Sequence, residues 1–320
     1  MRDAVKGYVL CFTAVTTWAF SELTVKLLQD GVGPITLSFY RFLFGGLIVV
    51  FLMVLTKKTK GTWLFVKKNS TLLSIASMVT LGISNMIYFT GVTLVGNPGV
   101  SAALYTTYPL YISIYGIFIL NERSNILLKI LGFFIGFFGA TILLTDFNFA
   151  LLFQPDKILG NVLLLLSAGI WGFYSVLGKK LCQINPEIDD VQLKYTGLSN
   201  LLACVPIAFF LPFSGEIGDF FQHTAVEWLL ILFMGFVITG LSLYIFFIGV
   251  QKIEVAHGIS LSLLKPVLAT IFSFIILGVT PPIALYVSIP IVSVAVLLIN
   301  KRDKNLISGE KSDCVPAPES

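Results

Sequence analysis

Ten apolar stretches, each about as long as a membrane-crossing helix, constrain this chain more than any other feature. A helix needs about 20 largely apolar residues to cross a hydrocarbon core of about 30 Å. On that rule we predict spans at 7–28, 34–55, 71–90, 97–119, 126–145, 158–181, 190–211, 226–250, 257–279 and 281–300. The connections between them are predicted to be short, apart from a basic loop at 56–70.

The composition leaves no material for a water-soluble domain. Charged residues make up 12% of the chain and hydrophobic residues 56%, whereas a soluble protein has about 25% charged residues. The sequence therefore predicts an all-α integral membrane protein. The hydrophilic segment 303–320 is predicted to be a disordered cytoplasmic tail.

Basic residues are concentrated on one side of the predicted arrangement. If the N-terminus is cytoplasmic, the loops on that side contain Lys57, Lys58, Lys60, Lys67, Lys68, Arg123, Lys179, Lys180 and Lys252. The opposite side has Lys157 and, at a helix end, Lys26. Because positive residues are enriched in cytoplasmic loops, we expect a multi-pass protein of the plasma membrane with both termini in the cytoplasm.

The chain contains an internal repeat. GYVLCFTAVTTWAFSELTVKLL at 7–28 aligns without gaps with GNVLLLLSAGIWGFYSVLGKKL at 160–181, which pairs Trp18 with Trp171. In the same way, SAALYTTYPLYISIYGIFIL aligns with GISLSLLKPVLATIFSFIIL, which pairs Pro109 with Pro266. The paired tryptophans and prolines favour a true repeat over a chance likeness of apolar helices.

Each repeat contains five spans, so the second repeat is inverted relative to the first in the membrane. We predict a first repeat at 1–148 and a second at 149–302. Inverted repeats are typical of secondary transporters, in which two similar halves expose a central site to either side in turn.

Four charged residues lie clear of the predicted helix ends: Glu22, Arg41, Lys194 and Lys265. Charged groups at such depth must face a partner or a wet cavity. Glu22 and Arg41 lie at nearly the same depth, so they can form an ion pair. That pair could be purely structural, or Glu22 could bind a cationic group or a proton during transport.

Lys265 directly precedes Pro266, which removes a backbone donor and disrupts the helix. An ammonium group beside freed carbonyls is a polar spot that lipid cannot satisfy. We predict that Lys265 holds a substrate carboxylate; closing an internal network is the structural alternative. The equivalent residue in the fourth span is Tyr108, before Pro109.

Aromatic and polar side chains complete the predicted site. With the ionic anchors, they would suit a zwitterion that has an apolar or aromatic part, although a tyrosine stripe can also serve helix packing. The predicted members are Trp18, Asn85, Tyr88, Tyr105, Tyr108 and Trp171.

Other chemistries find no support in the sequence. His223 and His257 are isolated near loops, the four cysteines have no paired spacing, and no phosphate-binding glycine loop occurs. We therefore expect no metal, no cofactor and no enzyme activity. The basic 56–70 segment is expected to mark topology and contact anionic lipid rather than nucleic acid.

The chain resembles the EamA-type branch of the drug/metabolite transporter superfamily. The resemblance rests on WAFSELTVK and WGFYSVLGK, on YRFLFGGLIVV, and on YPLYISIYGIFILNER. It implies ten helices in two inverted repeats and carriage of a small metabolite, often export of amino acids or related compounds. The second repeat departs from the family pattern, because it has Leu277-Gly278-Val279 where the first has Leu120-Asn121-Glu122 and therefore lacks the acidic residue.

The sequence thus predicts a secondary transporter of small organic metabolites that works by alternating access. Coupling to protons and facilitated passage are both open, as are a monomer and a homodimer. The rival functions are lipid-carrier flipping, as in some relatives, and a non-transporting membrane enzyme or sensor.

Overall fold

A computed structural model describes residues 2–28, 31–95, 98–278 and 280–301 as a bundle of ten helical units. Nine helical stretches in this part of the chain are long and apolar enough to cross a membrane, and a tenth apolar helix is shorter. The prediction of an all-α membrane protein is confirmed. The fourth and ninth units are each broken into two segments, marked a and b. The units are α1 (Arg2–Leu28), α2 (Pro34–Leu55), α3 (Thr62–Val95), α4a (Pro98–Tyr105), α4b (Tyr108–Ile119), α5 (Ile126–Thr145), α6 (Ile158–Ile184), α7 (Val191–Phe210), α8 (Ala225–Val250), α9a (Val255–Ser260), α9b (Lys265–Leu277) and α10 (Ile283–Ile299).

The predicted loop at 56–70 is wrong over most of its length, because α3 already begins at Thr62. Gly61, with φ of +78°, ends the short turn after α2. Phe65, Asn69 and Leu73 are buried at four-residue spacing, and the Asn69 amide donates to Asn185 Oδ1 at 3.1 Å. The lysine-rich sequence concealed a helix with a single buried face.

The two repeats share an unusual feature in their third helices. α3 contains a π-helical segment at Ile75–Ile83 and α8 contains one at Met234–Leu241. Gly82 and Gly240 occupy matching places in these segments, within LGIS and TGLS. Their lack of a side chain lets α3 pack closely on α7 and α8 pack closely on α2. Small residues commonly permit such approaches between membrane helices.

The fourth helix of each repeat is broken at the predicted proline. α4b begins at Tyr108 with Pro109 next, and α9b begins at Lys265 with Pro266 next. A proline in the first turn of a helix has no N–H to donate, which breaks the ladder from the preceding turn. The last residues of the two breaks have nearly the same conformation, with φ/ψ of −72°/−15° at Thr107 and −75°/−14° at Leu264.

Both ends of the described chain lie on one side of the bundle, here called the inner side. Gly7 packs against Ile253 in the turn between α8 and α9a, and Asn125, just before α5, donates its amide to the Lys301 carbonyl at 2.7 Å. On the opposite, outer side, the Glu216 carboxylate accepts hydrogen bonds from the N–H groups of Ile35 and Thr36 at the start of α2. The predicted tail at 303–320 lies outside the described residues.

Candidate functional site

A cavity of about 490 Å³ lies between the middle of the bundle and its outer side. It is lined by the outer halves of α1, α2 and α3, by α4a and the start of α4b, and by the middle parts of α6, α8 and α9. This volume is in the range of small-molecule sites. The lining residues on which the site depends are Trp18, Ser21, Arg41, Asn85, Tyr88, Tyr105, Thr106, Tyr108, Trp171, Thr239, Ser262, Lys265, Thr270 and Ser273.

A continuous run of aromatic rings forms one wall of the cavity. Ring centroids of neighbouring members are 4.6 Å apart for Tyr88 and Tyr105, and 5.6 Å for Tyr105 and Tyr108. The run continues from Tyr108 to Trp171 at 4.8 Å and from Trp171 to Trp18 at 6.3 Å. The two repeat-related tryptophans therefore meet, edge to face, where the halves of the chain join. Such a wall can pack against an apolar or aromatic part of a ligand.

Two basic side chains line the same cavity from different helices. The Arg41 guanidinium reaches from α2 toward α8, with its Nε 3.4 Å from Thr239 Oγ1. Lys265 stands at the first position of α9b, where the preceding 3-10 turn and Pro266 interrupt the helix. Among the described side chains of the lining, these are the charged ones. Such donors form strong charge-assisted hydrogen bonds with a carboxylate or a phosphate.

The polar part of the lining is held in place by neighbouring helices. Ser38 of α2 donates to Asn85 Oδ1 at 2.8 Å, which orients the Asn85 amide in the cavity wall. The preceding residue, Ser84, instead bonds to Ser167 and joins α3 to α6. Of these two neighbours on α3, Asn85 therefore lines the cavity, and Ser84 is not among its lining residues.

Eight of the nine predicted site residues line the cavity: Trp18, Arg41, Asn85, Tyr88, Tyr105, Tyr108, Trp171 and Lys265. The ninth, Glu22, follows Ser21 in α1, and its side chain lies outside the described part of the structure. Its pairing with Arg41 stays a prediction. Lys194, by contrast, is buried away from the cavity, where its ammonium donates to the Asp189 carbonyl.

Sequence reasoning missed several lining residues, including Thr239 on α8 and Thr270 and Ser273 on α9b. A signal for Thr239 was available: the match of LGIS with TGLS places it opposite Leu81 in the repeat, and both line the cavity. Thr270 and Ser273 carried no comparable signal, because small hydroxyl residues are common throughout membrane helices.

A second group of polar residues, on the inner side, was also missed. Glu122 Oε1 accepts from the Lys179 ammonium at 2.6 Å, and Glu122 Oε2 accepts from the Val255 N–H at 2.8 Å. Nearby, Glu254 binds Lys129 and the Ser124 hydroxyl. His257 Nε2 is 3.7 Å from Glu254 Oε2, so the prediction that this histidine is isolated is wrong.

The surroundings of the two carboxylates affect their pKa values in opposite directions. Burial raises the pKa of Glu122, although the Lys179 charge and hydrogen bond oppose the rise. Burial also acts to raise the pKa of Glu254, but the Lys129 charge and the hydrogen bonds from Lys129 and Ser124 outweigh it and lower this pKa. Both groups are thus held by partners rather than by water.

Comparison with known proteins agrees with this architecture. The model of the EamA-like transporter family matches residues 5–145 and again residues 158–301. Among curated proteins, the uncharacterized transporter YetK of Bacillus subtilis (strain 168) is 26% identical over 87% of this chain and 81% of its own length. The uncharacterized transporter YoaV of the same organism is 25% identical over 85% of this chain and 88% of its own length.

A solved structure titled "Crystal structure of protein" has a similar fold, with a TM-score of 0.74 and 20% sequence identity over 92% of this chain and 96% of that one. The family match covers both five-helix repeats, which are the parts that build the cavity. This chain belongs to the EamA-like transporter family.

Proposed function

We propose that this transporter exports amino acids or related small organic metabolites across the plasma membrane by alternating access, with both termini in the cytoplasm. The observation that carries the proposal is the composition of the cavity. Arg41 and Lys265 line it together with an aromatic wall that ends in the repeat-related Trp18 and Trp171. A ligand that has a carboxylate and an apolar part would satisfy both features.

In this proposal, the residues of the cavity have separate roles. Lys265 and Arg41 bind the carboxylate, and the rings of Tyr105, Tyr108 and Trp171 pack against the side chain of the substrate. Pro109 and Pro266 have no N–H to donate to the preceding turn, so the breaks before Tyr108 and Lys265 can present backbone carbonyls to an amine at the same level. Glu22 is proposed to bind a cationic group or a coupling proton.

The direct test is flux of radiolabelled amino acids through the purified full-length protein in proteoliposomes, with and without a pH gradient. Lys265→Gln should raise the half-saturating concentration of carboxylate substrates roughly tenfold or more, because a hydrogen bond to a charged group contributes about 1.5–3 kcal/mol. The matched control is Lys67→Gln, because Lys67 is exposed on α3 and stacks on Trp63 away from the cavity.

The outcomes separate the alternatives. Unchanged flux in Lys265→Gln would contradict the binding role of Lys265, whereas an equal loss of folded protein would assign it to structure. Glu22→Gln should reduce flux while expression is preserved, and it should remove any stimulation by a pH gradient if Glu22 carries the proton. Movement of a lipid-linked substrate with no flux of soluble metabolites would favour the lipid-carrier function instead.

A further inference from the structure

The inner ends of three cavity-lining helices converge on one buried carboxylate. Glu122, in the turn after α4b, receives the Lys179 ammonium from α6 and the Val255 N–H from the start of α9a. The same ammonium donates to the Ile253 carbonyl at 2.6 Å. The side chains of Glu122 and Lys179 are only 8% and 10% exposed. This group, called here the inner cluster, consists of Glu122, Lys179 and the backbone of 253–255.

The inner cluster lies below the cavity and across the junction of the two repeats. Between them, the bundle is filled by apolar side chains that are almost completely buried, including Ile112 of α4b, Leu177 of α6 and Ile259 of α9a. α4b and α9a pack against each other in this region. A substrate in the cavity could reach the inner side only if these segments separated.

The broken helices make such a separation mechanically possible. α4 is interrupted at Thr106–Thr107 and α9 at the 3-10 turn Leu261–Leu264, and both breaks lie at the inner end of the cavity, where Thr106 and Ser262 belong to its lining. Each inner segment is thus a separate helix joined to the cavity wall by a short turn, and the ends of such elements are where hinges commonly lie. α4b also approaches the cluster closely, since a Cβ atom added at Gly116 would lie 3.3 Å from Val255 Cγ1 and 3.4 Å from Glu122 Oε2.

A second ion pair fixes the surface against which the cluster closes. Glu254, adjacent to Ile253 and Val255, binds the fully buried Lys129 of α5. The turn between α8 and α9a is therefore anchored on α5. The Glu122–Lys179 pair then ties α4b and α6 to that anchored turn.

We propose that the inner cluster is the gate that closes the transport cavity toward the inner side and that breaks when the transporter turns inward. This inference rests on the proposed transport function. In the closed form both charges are buried and paired; in the open form each would be hydrated. Removing only one partner leaves the other charge buried and unpaired in the closed form, which costs free energy. The open form has no such cost, because the charge is hydrated there.

The repeat alignment predicts that this gate has no equal on the outer side. The residue related to Lys179 is Lys26, but the residue related to Glu122 is Val279, which has no carboxylate. Residue 279 and the Lys26 side chain lie outside the described structure. With an ion pair at the inner gate and no such pair at the outer one, the form that is closed on the inner side is favoured. The cavity lies toward the outer side, in agreement with this form.

The test measures accessibility and needs no substrate, so it can succeed or fail independently of the transport proposal. The four native cysteines are replaced by alanine, and a single cysteine is introduced by Ala256→Cys, below the cavity, or by Ser273→Cys, in its outer part. Each reporter is labelled with a membrane-impermeant maleimide from one side of sealed vesicles. Without further change, the Ala256→Cys reporter should be protected and the Ser273→Cys reporter should react from outside.

Glu122→Gln should increase the labelling rate of the Ala256→Cys reporter from the inner side roughly tenfold or more and should slow the Ser273→Cys reporter. Adding Lys179→Met to Glu122→Gln should return both rates toward their starting values, because no buried charge then lacks a partner. Glu122→Asp, which keeps the charge and loosens the contacts, gives a milder form if Glu122→Gln does not fold. The control is Glu187→Gln. Glu187 pairs with Lys68 and also joins the two repeats on the inner side, but both side chains are about half exposed.

The proposal is overturned if Glu122→Gln and Glu122→Asp lower thermal stability while both labelling rates match those of Glu187→Gln.

The difference between the inner and outer sides is tested separately by Val279→Glu, which supplies the missing carboxylate. It should slow labelling of the Ser273→Cys reporter and speed that of the Ala256→Cys reporter. Unchanged rates in a folded Val279→Glu protein would contradict the asymmetry.

Discussion

Gly240 on α8 packs closely against Gly45 on α2 beside the cavity, and Gly240→Ala tests this contact. A methyl group at position 240 would lie 2.6 Å from the Gly45 carbonyl oxygen and 2.5 Å from Ile48 Cγ2. The Ile48 side chain can rotate, but the Gly45 backbone belongs to a helix. The helices would have to separate by roughly 0.9 Å to reach an ordinary contact of about 3.5 Å.

Overpacking of this kind costs about 1–3 kcal/mol. The expected result is a lower thermal midpoint in detergent, by about 1–2 °C for each kcal/mol. Gly82→Ala should behave in the same way, because its added methyl group would lie 2.5 Å from the Pro206 ring and 2.8 Å from the Ala203 carbonyl oxygen. The matched control is Gly218→Ala, since an added methyl group there meets nothing within 4 Å.

Thermal unfolding followed by aggregation or intrinsic fluorescence would measure all three variants. Midpoints of Gly240→Ala and Gly82→Ala that equal the midpoint of Gly218→Ala would refute the close packing of α8 on α2 and of α3 on α7. Because Thr239 lines the cavity beside Gly240, the Gly240→Ala protein should also transport more slowly at temperatures where it remains folded.

Two further predictions concern the anchored turn and the aromatic wall. Glu254→Gln leaves the fully buried Lys129 unpaired and should lower the free energy of unfolding by about 3–5 kcal/mol. Adding Lys129→Met should restore most of this loss, and equal thermal midpoints for the single and double variants would contradict the prediction. Because the pKa of Glu254 is lowered in the folded state, its contribution is present above its ordinary value of 4.5 and is lost as pH falls through the lowered value. Wild-type protein should therefore lose more stability than the double variant between pH 7 and pH 3. Trp171→Ala removes ring contacts with Trp18 and Tyr108 and should weaken the binding of aromatic substrates about three- to tenfold in a competition assay. Binding of free glycine, which has no side chain to pack on the wall, should change little. The control is Trp63→Ala, because Trp63 is 72% exposed.

Much of the candidate site followed from the sequence because burial of polar residues in a membrane protein is so costly. Arg41 and Lys265 were found because charged residues deep in apolar helices must face a cavity or a partner. Trp18, Trp171, Tyr108 and Lys265 were found at repeat-related positions. The helix at 62–70 was not found, because its lysines and polar residues mask a face that only packing against the end of α6 reveals.

The inner cluster was not predicted for a related reason. Glu122 and Lys179 are 57 residues apart, and each lies near a helix end, where a charged residue needs no explanation other than contact with water or lipid headgroups. Only their packing brings them together and buries them. The same applies to Lys129 and Glu254, which the sequence gives no reason to connect.

The sequence by itself determined the all-α membrane fold, the ten helical units and the duplicated order of their landmarks. It could do so because the bilayer permits few structures, and because apolar length and paired prolines are local properties of the chain. The tertiary structure decided how the helices cross, and with that which polar side chains meet. The aromatic wall, the reach of Arg41 to Thr239 and the closure of Glu122 on Lys179 depend on distances between helices far apart in sequence, which no local pattern encodes.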